Sequence, residues 1–71
     1  MINIQDIIPF MKDGWVAMDR NHIWVWWEKE PCIRCDYFWS ALQGDSVLLS
    51  DAFDIAPADD WTKSLIKVGE K

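Results

Sequence analysis

The chain has 71 residues, 51% of them hydrophobic, with 7 basic against 12 acidic side chains and a formal charge of −5. So short a chain is expected to form one domain over residues 1–71, and it buries only about 60% of the surface its unfolded form exposes. The acid excess excludes the phosphate neutralisation by Lys and Arg that direct nucleic-acid binding relies on, and no apolar run reaches the roughly 18 residues that a bilayer span needs.

Six tryptophans, at Trp15, Trp24, Trp26, Trp27, Trp39 and Trp61, mark a folded domain and a sticky face. Indoles alone do not offset the ordering cost of the whole chain. The Ile, Val, Leu, Phe and Met side chains must be buried too, or a second copy or a partner completes the core, so a homodimer is one expected outcome.

Ile4, Ile7, Ile8 and Met11 lie at helical spacing and form one apolar stripe. Taking Asp6 as N-cap places Pro9 in the first turn and makes Gly14 the stop, which predicts a short helix over residues 6–12. Next, WVAMD and IWVWWEKE flank Arg20-Asn21-His22 and read as a β-hairpin. On the second strand Ile23, Val25 and Trp27 face one way and Trp24 and Trp26 the other, so both faces are apolar. One face covers the helix; the other receives the C-terminal segment or is a binding surface.

Pro31 ends that strand, and a loop carries Cys32 and Cys35. YFWSALQ, Gly44-Asp45 and SVLLS read as a second hairpin. In the tail, Phe53 and Ile55 are apolar anchors before Pro57. Asp59 or Asp60 caps one or two helical turns bearing Trp61 and Leu65, with the last residues frayed. The expected class is α+β: a short N-terminal helix packed on a three- or four-stranded antiparallel β-meander, closed by a short C-terminal helical turn.

Chemistry-bearing constellations are sparse. Cys32-Ile-Arg-Cys35 lacks the strand-to-helix setting of a redox motif, and one such pair with His22 falls short of a four-ligand zinc site unless an Asp supplies the fourth ligand or two copies share it. The opening MINIQDIIPFMKDG has neither the basic segment nor the cleavage site of a signal peptide. That predicts a cytoplasmic protein whose cysteines are reduced thiols. His22 reads as a solvated turn residue. Asp51/Asp54 and Asp59-Asp60 are carboxylate pairs without a cleft to hold them at a fixed separation, and no glycine-rich phosphate loop or nucleophile elbow is present. No catalytic residue, metal ligand or cofactor is assigned, and no enzymatic activity is expected.

In order, GWVAMDRN, WVWWEKEP, YFW, LSDAFDI and DDWTKSLI resemble a group of short proteins encoded in bacteriophages and prophages. That group has a GW-[IV]-A-x-D-x-[DN]-G opening, an aromatic strand ending in Lys-Pro, and a closing W-x-x-S/P-L/I. The resemblance covers residues 13–68. The chain departs from it in having Arg20-Asn21-His22-Ile23 at the turn, without the glycine, and in having Cys32 and Cys35. The resemblance implies a source and a fold and carries over no catalytic residue.

Small acidic proteins of mobile elements act stoichiometrically on host proteins, and the leading expectation is a non-enzymatic binding module, a host-directed inhibitor. Between Arg34 and Lys63 the chain has no basic residue, which suits a partner with a basic surface. Trp24, Trp26 and Tyr37 are the expected anchors, and Asp51, Asp54, Asp59 and Asp60 the acidic rim. The alternatives are a homo-oligomeric accessory protein and a module for a sugar or nucleotide. No membrane partner is expected.

Overall fold

Asn3 rather than Asp6 opens the first helix. In the computed structural model, which describes residues 1–69, helix α1 runs Ile4–Ile7 and the Asn3 side chain accepts the Gln5 N–H at 2.9 Å. This is the cap that a first-turn donor needs. The helix expected over residues 6–12 thus starts and stops early. Pro9 is the reason: it has no N–H, and its ring clashes with the carbonyl four residues back. The chain tightens into a 3-10 turn at Ile8–Phe10, closed by the Met11 N–H on the Ile8 carbonyl at 3.0 Å. Gly14 is not the helix stop. It begins the first strand.

Among the described residues six strands follow: β1 Gly14–Met18, β2 Trp24–Trp27, β3 Cys32–Arg34, β4 Phe38–Ser40, β5 Ser46–Leu48 and β6 Ile66–Val68. The fold is α+β. β1 and β2 form the expected hairpin, with Trp15 opposite Trp27 and Met18 opposite Trp24. Its turn is held by Asp19, whose carbonyl accepts the His22 N–H and whose own N–H donates to Ile23, both at 2.9 Å. β5 adds to β2 and β6 to β1, giving an antiparallel sheet of order β5-β2-β1-β6.

The expected second hairpin does not form as drawn. Phe38–Ser40 folds back on Cys32–Arg34, Cys32 opposite Ser40, as a separate two-stranded sheet. The Tyr37 N–H closes that turn on Arg34 at 2.9 Å, with Cys35 and Asp36 at φ 56° and 53°. Such primed turns match the twist of the flanking strands but favour Asn-Gly. The Cys-Asp pair hides the signal. Ser46–Leu48 pairs with β2 instead, across about 20 residues of sequence, which local pattern cannot register.

Alternation divides the sheet into two faces. Val16, Met18 and Trp24 face a core completed by Ile4, Leu49, Ile55 and Val68, with Ile7, Ile8, Met11, Trp26 and Trp61 packed against it. Both the helix and the C-terminal tail therefore lie on one face. Residues Ile2 and Ile55 bridge in parallel, the Ile2 N–H on Asp54 at 2.7 Å and the Ala56 N–H on Ile2 at 2.8 Å.

The opposite face also buries Ala17 and Val25, and Trp39 is a further buried apolar side chain outside the first core. The β3–β4 hairpin leaves from the Trp27 end of the sheet and is tied at the other end through Trp39, whose N–H meets the Asp19 carboxylate at 3.0 Å. It thereby crosses the second face, the place expected for the C-terminal segment.

In the tail, Ile55 is buried as expected but Phe53 is 42% exposed. A 3-10 turn spans Leu49–Asp51 and another Trp61–Lys63, the latter capped by Asp60. Leu65 lies beyond that turn. Ile66–Val68 is a strand rather than a frayed end; Glu70 and Lys71 lie outside the described residues.

Candidate functional site

Each tryptophan carries an apolar body with one N–H that must be satisfied when buried. Trp24, Trp26 and Trp39 each donate that N–H to a distant main-chain carbonyl: Ala56 at 3.1 Å, Lys12 at 3.1 Å and Trp61 at 3.0 Å. Each bond pins an irregular segment to a strand. Trp24 is 1% exposed and is a core residue, so its assignment as a surface anchor is corrected: it sits under the tail that its indole holds. The main-chain N–H of Trp24 is taken by the Ser50 hydroxyl at 2.9 Å, and that of its partner Met18 by the Ser64 hydroxyl at 2.8 Å. Two serines thus finish the sheet where β5 and β6 stop.

Trp26 is half-buried and lines a depression, so it remains available at a surface. Gly14 makes its position possible, since a Cβ there would lie 2.5 Å from the Trp27 carbonyl oxygen and 2.8 Å from Trp26 Nε1. Tyr37 is 55% exposed on the β3–β4 turn with the Arg20 guanidinium 4.0 Å from its ring centre. Trp26 faces the helix side of the sheet and Tyr37 belongs to the hairpin on the other side. The three expected anchors do not form one surface.

Asp51, Asp54, Asp59 and Asp60 are exposed. Asp60 has a structural task, accepting the Thr62 N–H at 2.9 Å and the Thr62 hydroxyl at 2.6 Å. The Thr62 side-chain hydrogen bond, followed by its main-chain one, lowers the Asp60 pKa from the ordinary 3.8. Asp59 borders a separate depression with Asn3, Gln5, Lys63 and Ser64. Asp51 and Asp54 flank Phe53 at the end of β5.

Cys32 and Cys35 are free exposed thiols, on a strand and in a turn. Among the described residues no group of three or more His, Cys, Asp or Glu is placed to hold a metal ion. His22 is exposed at the turn between β1 and β2, with φ 69°.

The continuous apolar surface lies elsewhere. Met11, Lys12, Trp26, Glu28, Asp45, Val47 and Leu49 line a depression of about 330 Å³. Ile7, Phe10 and Phe53 join Met11 and Leu49 around a second, of about 370 Å³. Because Met11 and Leu49 border both, the two form one groove between the α1 segment and β5. Phe10 at its rim is 88% exposed and Val47 52%. Sequence reasoning missed Phe10, although within the helix expected over residues 6–12 it is a large apolar residue that lies off the Ile4, Ile7, Ile8, Met11 stripe. That mismatch was the available signal.

Compared with protein-family models, curated proteins and solved structures, the chain matches none. Among the described residues no helix is long and apolar enough to cross a membrane.

Proposed function

We propose that this chain is a non-enzymatic protein-binding module of a phage or other mobile element, a cytoplasmic protein that attaches stoichiometrically to a host protein through the groove between α1 and β5. The observation that carries this reading is the grouping of exposed Phe10, Val47 and Phe53 around the Met11 and Leu49 floor. Large apolar side chains gathered on one face of a small domain favour being covered, and a concave apolar floor with aromatic edges is where binding energy concentrates. Trp26 keeps its expected role as an anchor, now joined by Phe10 and Phe53. The exposed carboxylates of Asp51 and Asp54 supply the acidic rim beside Phe53.

The test is affinity capture with the tagged full chain from nuclease-treated bacterial lysate, beside Phe53→Asp with its fold verified by near-ultraviolet circular dichroism. A host protein recovered at one-to-one stoichiometry and lost with the folded variant supports the reading. The same protein retained by Phe53→Asp overturns the groove assignment. Recovery of the bait alone, with a doubled mass in solution, replaces it with self-association.

A further inference from the structure

The groove borders an open sheet edge. The Asp19 N–H donates to the Ile23 carbonyl, continuing the register in which Met18 lies opposite Trp24, so by alternation the main-chain groups of Trp24 and Trp26 turn away from β1. Two bonds agree with this, the Trp24 N–H on Ser50 and the Glu28 N–H on the Asp45 carbonyl at 2.9 Å. Val47, opposite Trp26, then bonds inward to β2. The N–H and C=O groups of Ser46 and Leu48 point out from the sheet, where β5 is the terminal strand. The Val47 side chain on this strand enters the groove, and that of Leu48 is exposed on the opposite face.

From this juxtaposition we infer that the groove takes an extended segment of a partner protein as an added strand on β5, with basic residues at the end that meets Asp51 and Asp54. The inference rests on the reading of the groove as a protein-docking site. Two bonded positions, Ser46 and Leu48, fix the segment's register, and the side chain opposite Val47 falls into the groove beside Met11 and Phe10. An exposed strand edge with apolar side chains on both faces is a template for such pairing.

Charge selects the occupant. A second copy paired antiparallel about Val47 brings the Asp45 end of each β5 to the Asp51 end of the other, and two chains of charge −5 repel. A segment bearing Lys or Arg reverses the sign of both terms. At the Gly44–Asp45 end Lys12 and Lys29 stand beside Glu28 and Asp45 and offset their charge, so the basic end of the segment belongs at the Asp51 end.

The probe is an acetylated peptide of two arginines followed by alternating threonine and valine, titrated into the full ¹⁵N-labelled chain. The expected result is that the Ser46 and Leu48 amides shift most and exchange with solvent at least about tenfold more slowly when bound. N-methylation at every threonine, which blocks the edge facing β5 when valine enters the groove, is expected to weaken binding at least about tenfold, and N-methylation at valine to leave it. Replacing the arginines with aspartates is expected to abolish it.

Equal binding of the threonine-methylated peptide overturns strand addition while leaving groove docking in place. Absence of binding at millimolar peptide overturns it too, and groove docking is then judged by the Phe53→Asp capture. Equal binding of the aspartate peptide overturns the basic-partner assignment. Protection of Ser46 and Leu48 without peptide, in a chain that sediments as a dimer, names the second copy as the occupant and overturns the inference.

Discussion

The carboxylate of Asp19 accepts the main-chain N–H of Trp39 at 3.0 Å, joining the turn of one hairpin to a strand of the other across 20 residues. The same Trp39 donates its indole N–H to Trp61, so one residue, through its main chain and its side chain, couples the β3–β4 hairpin, the β1–β2 turn and the C-terminal 3-10 turn. Asp19→Ala leaves a part-buried donor without its acceptor and is expected to cost about 1–3 kcal/mol. Chemical denaturation checks the cost, with a red shift of tryptophan emission as Trp39 meets water. Asp19→Asn keeps an acceptor oxygen and is expected to lose less.

Trp24 and Trp27, the first and last residues of β2, have opposite hydrogen-bond status. The Trp24 indole N–H is bonded to Ala56, whereas that of Trp27 is buried without a partner among the described residues. Substituting phenylalanine at each removes a satisfied donor in one case and an unsatisfied one in the other. Trp24→Phe is expected to lose more stability than Trp27→Phe by about 1 kcal/mol or more. Equal losses in paired denaturation curves would contradict that assignment.

His22 holds a left-handed conformation, φ 69°, in the β1–β2 turn. The crowding of Cβ against the carbonyl makes that region unfavourable for a side chain, and glycine relieves it. His22→Gly is expected to stabilise the protein by about 0.5–1 kcal/mol despite the added freedom of the unfolded chain. A rise of a few degrees in melting temperature checks it.

Gly14 is closed to any side chain, because a Cβ would lie 2.5 Å from the Trp27 carbonyl oxygen, a main-chain atom that cannot step aside alone. Gly14→Ala is expected to push β1 from β2 and displace Trp26 from Lys12, at a cost of about 1–3 kcal/mol. The Trp26 indole proton resonance reports the second effect directly.

Asp60 has its folded pKa lowered from 3.8 by Thr62. A depressed carboxylate contributes stability at pH values above its unfolded pKa, and that contribution is lost as the pH falls through the folded pKa. The effect therefore lies in the acid range, at and below 3.8, and leaves neutral pH untouched. In an NMR titration Asp60 is expected to have its midpoint below that value, and Thr62→Val to move it back up.

Signals within a few residues of each other reached the structure well. The β1–β2 hairpin follows from two β-rich runs around a polar turn, and the Asp60 cap from its place before Trp61. The helix was legible in kind but not in extent, because Asn3 and Asp6 are both competent caps and only the Ile2–Ile55 bridge fixes where the chain enters. The candidate site was less legible. Trp24 and Trp26 share a face of β2, yet one is sealed by the tail and the other borders a groove.

By itself the sequence determined an acidic α+β domain with apolar residues on both faces of a central hairpin, since charge, strand alternation and turn chemistry are local properties. Only the tertiary structure decided that β5 joins β2, that the β3–β4 hairpin covers the second face, and that Phe10, Val47 and Phe53 stay outside. Those choices depend on which segments compete for the same buried area and the same main-chain hydrogen bonds across distant parts of the chain. A periodic pattern shows that a residue can be buried, and packing determines which residues are left uncovered.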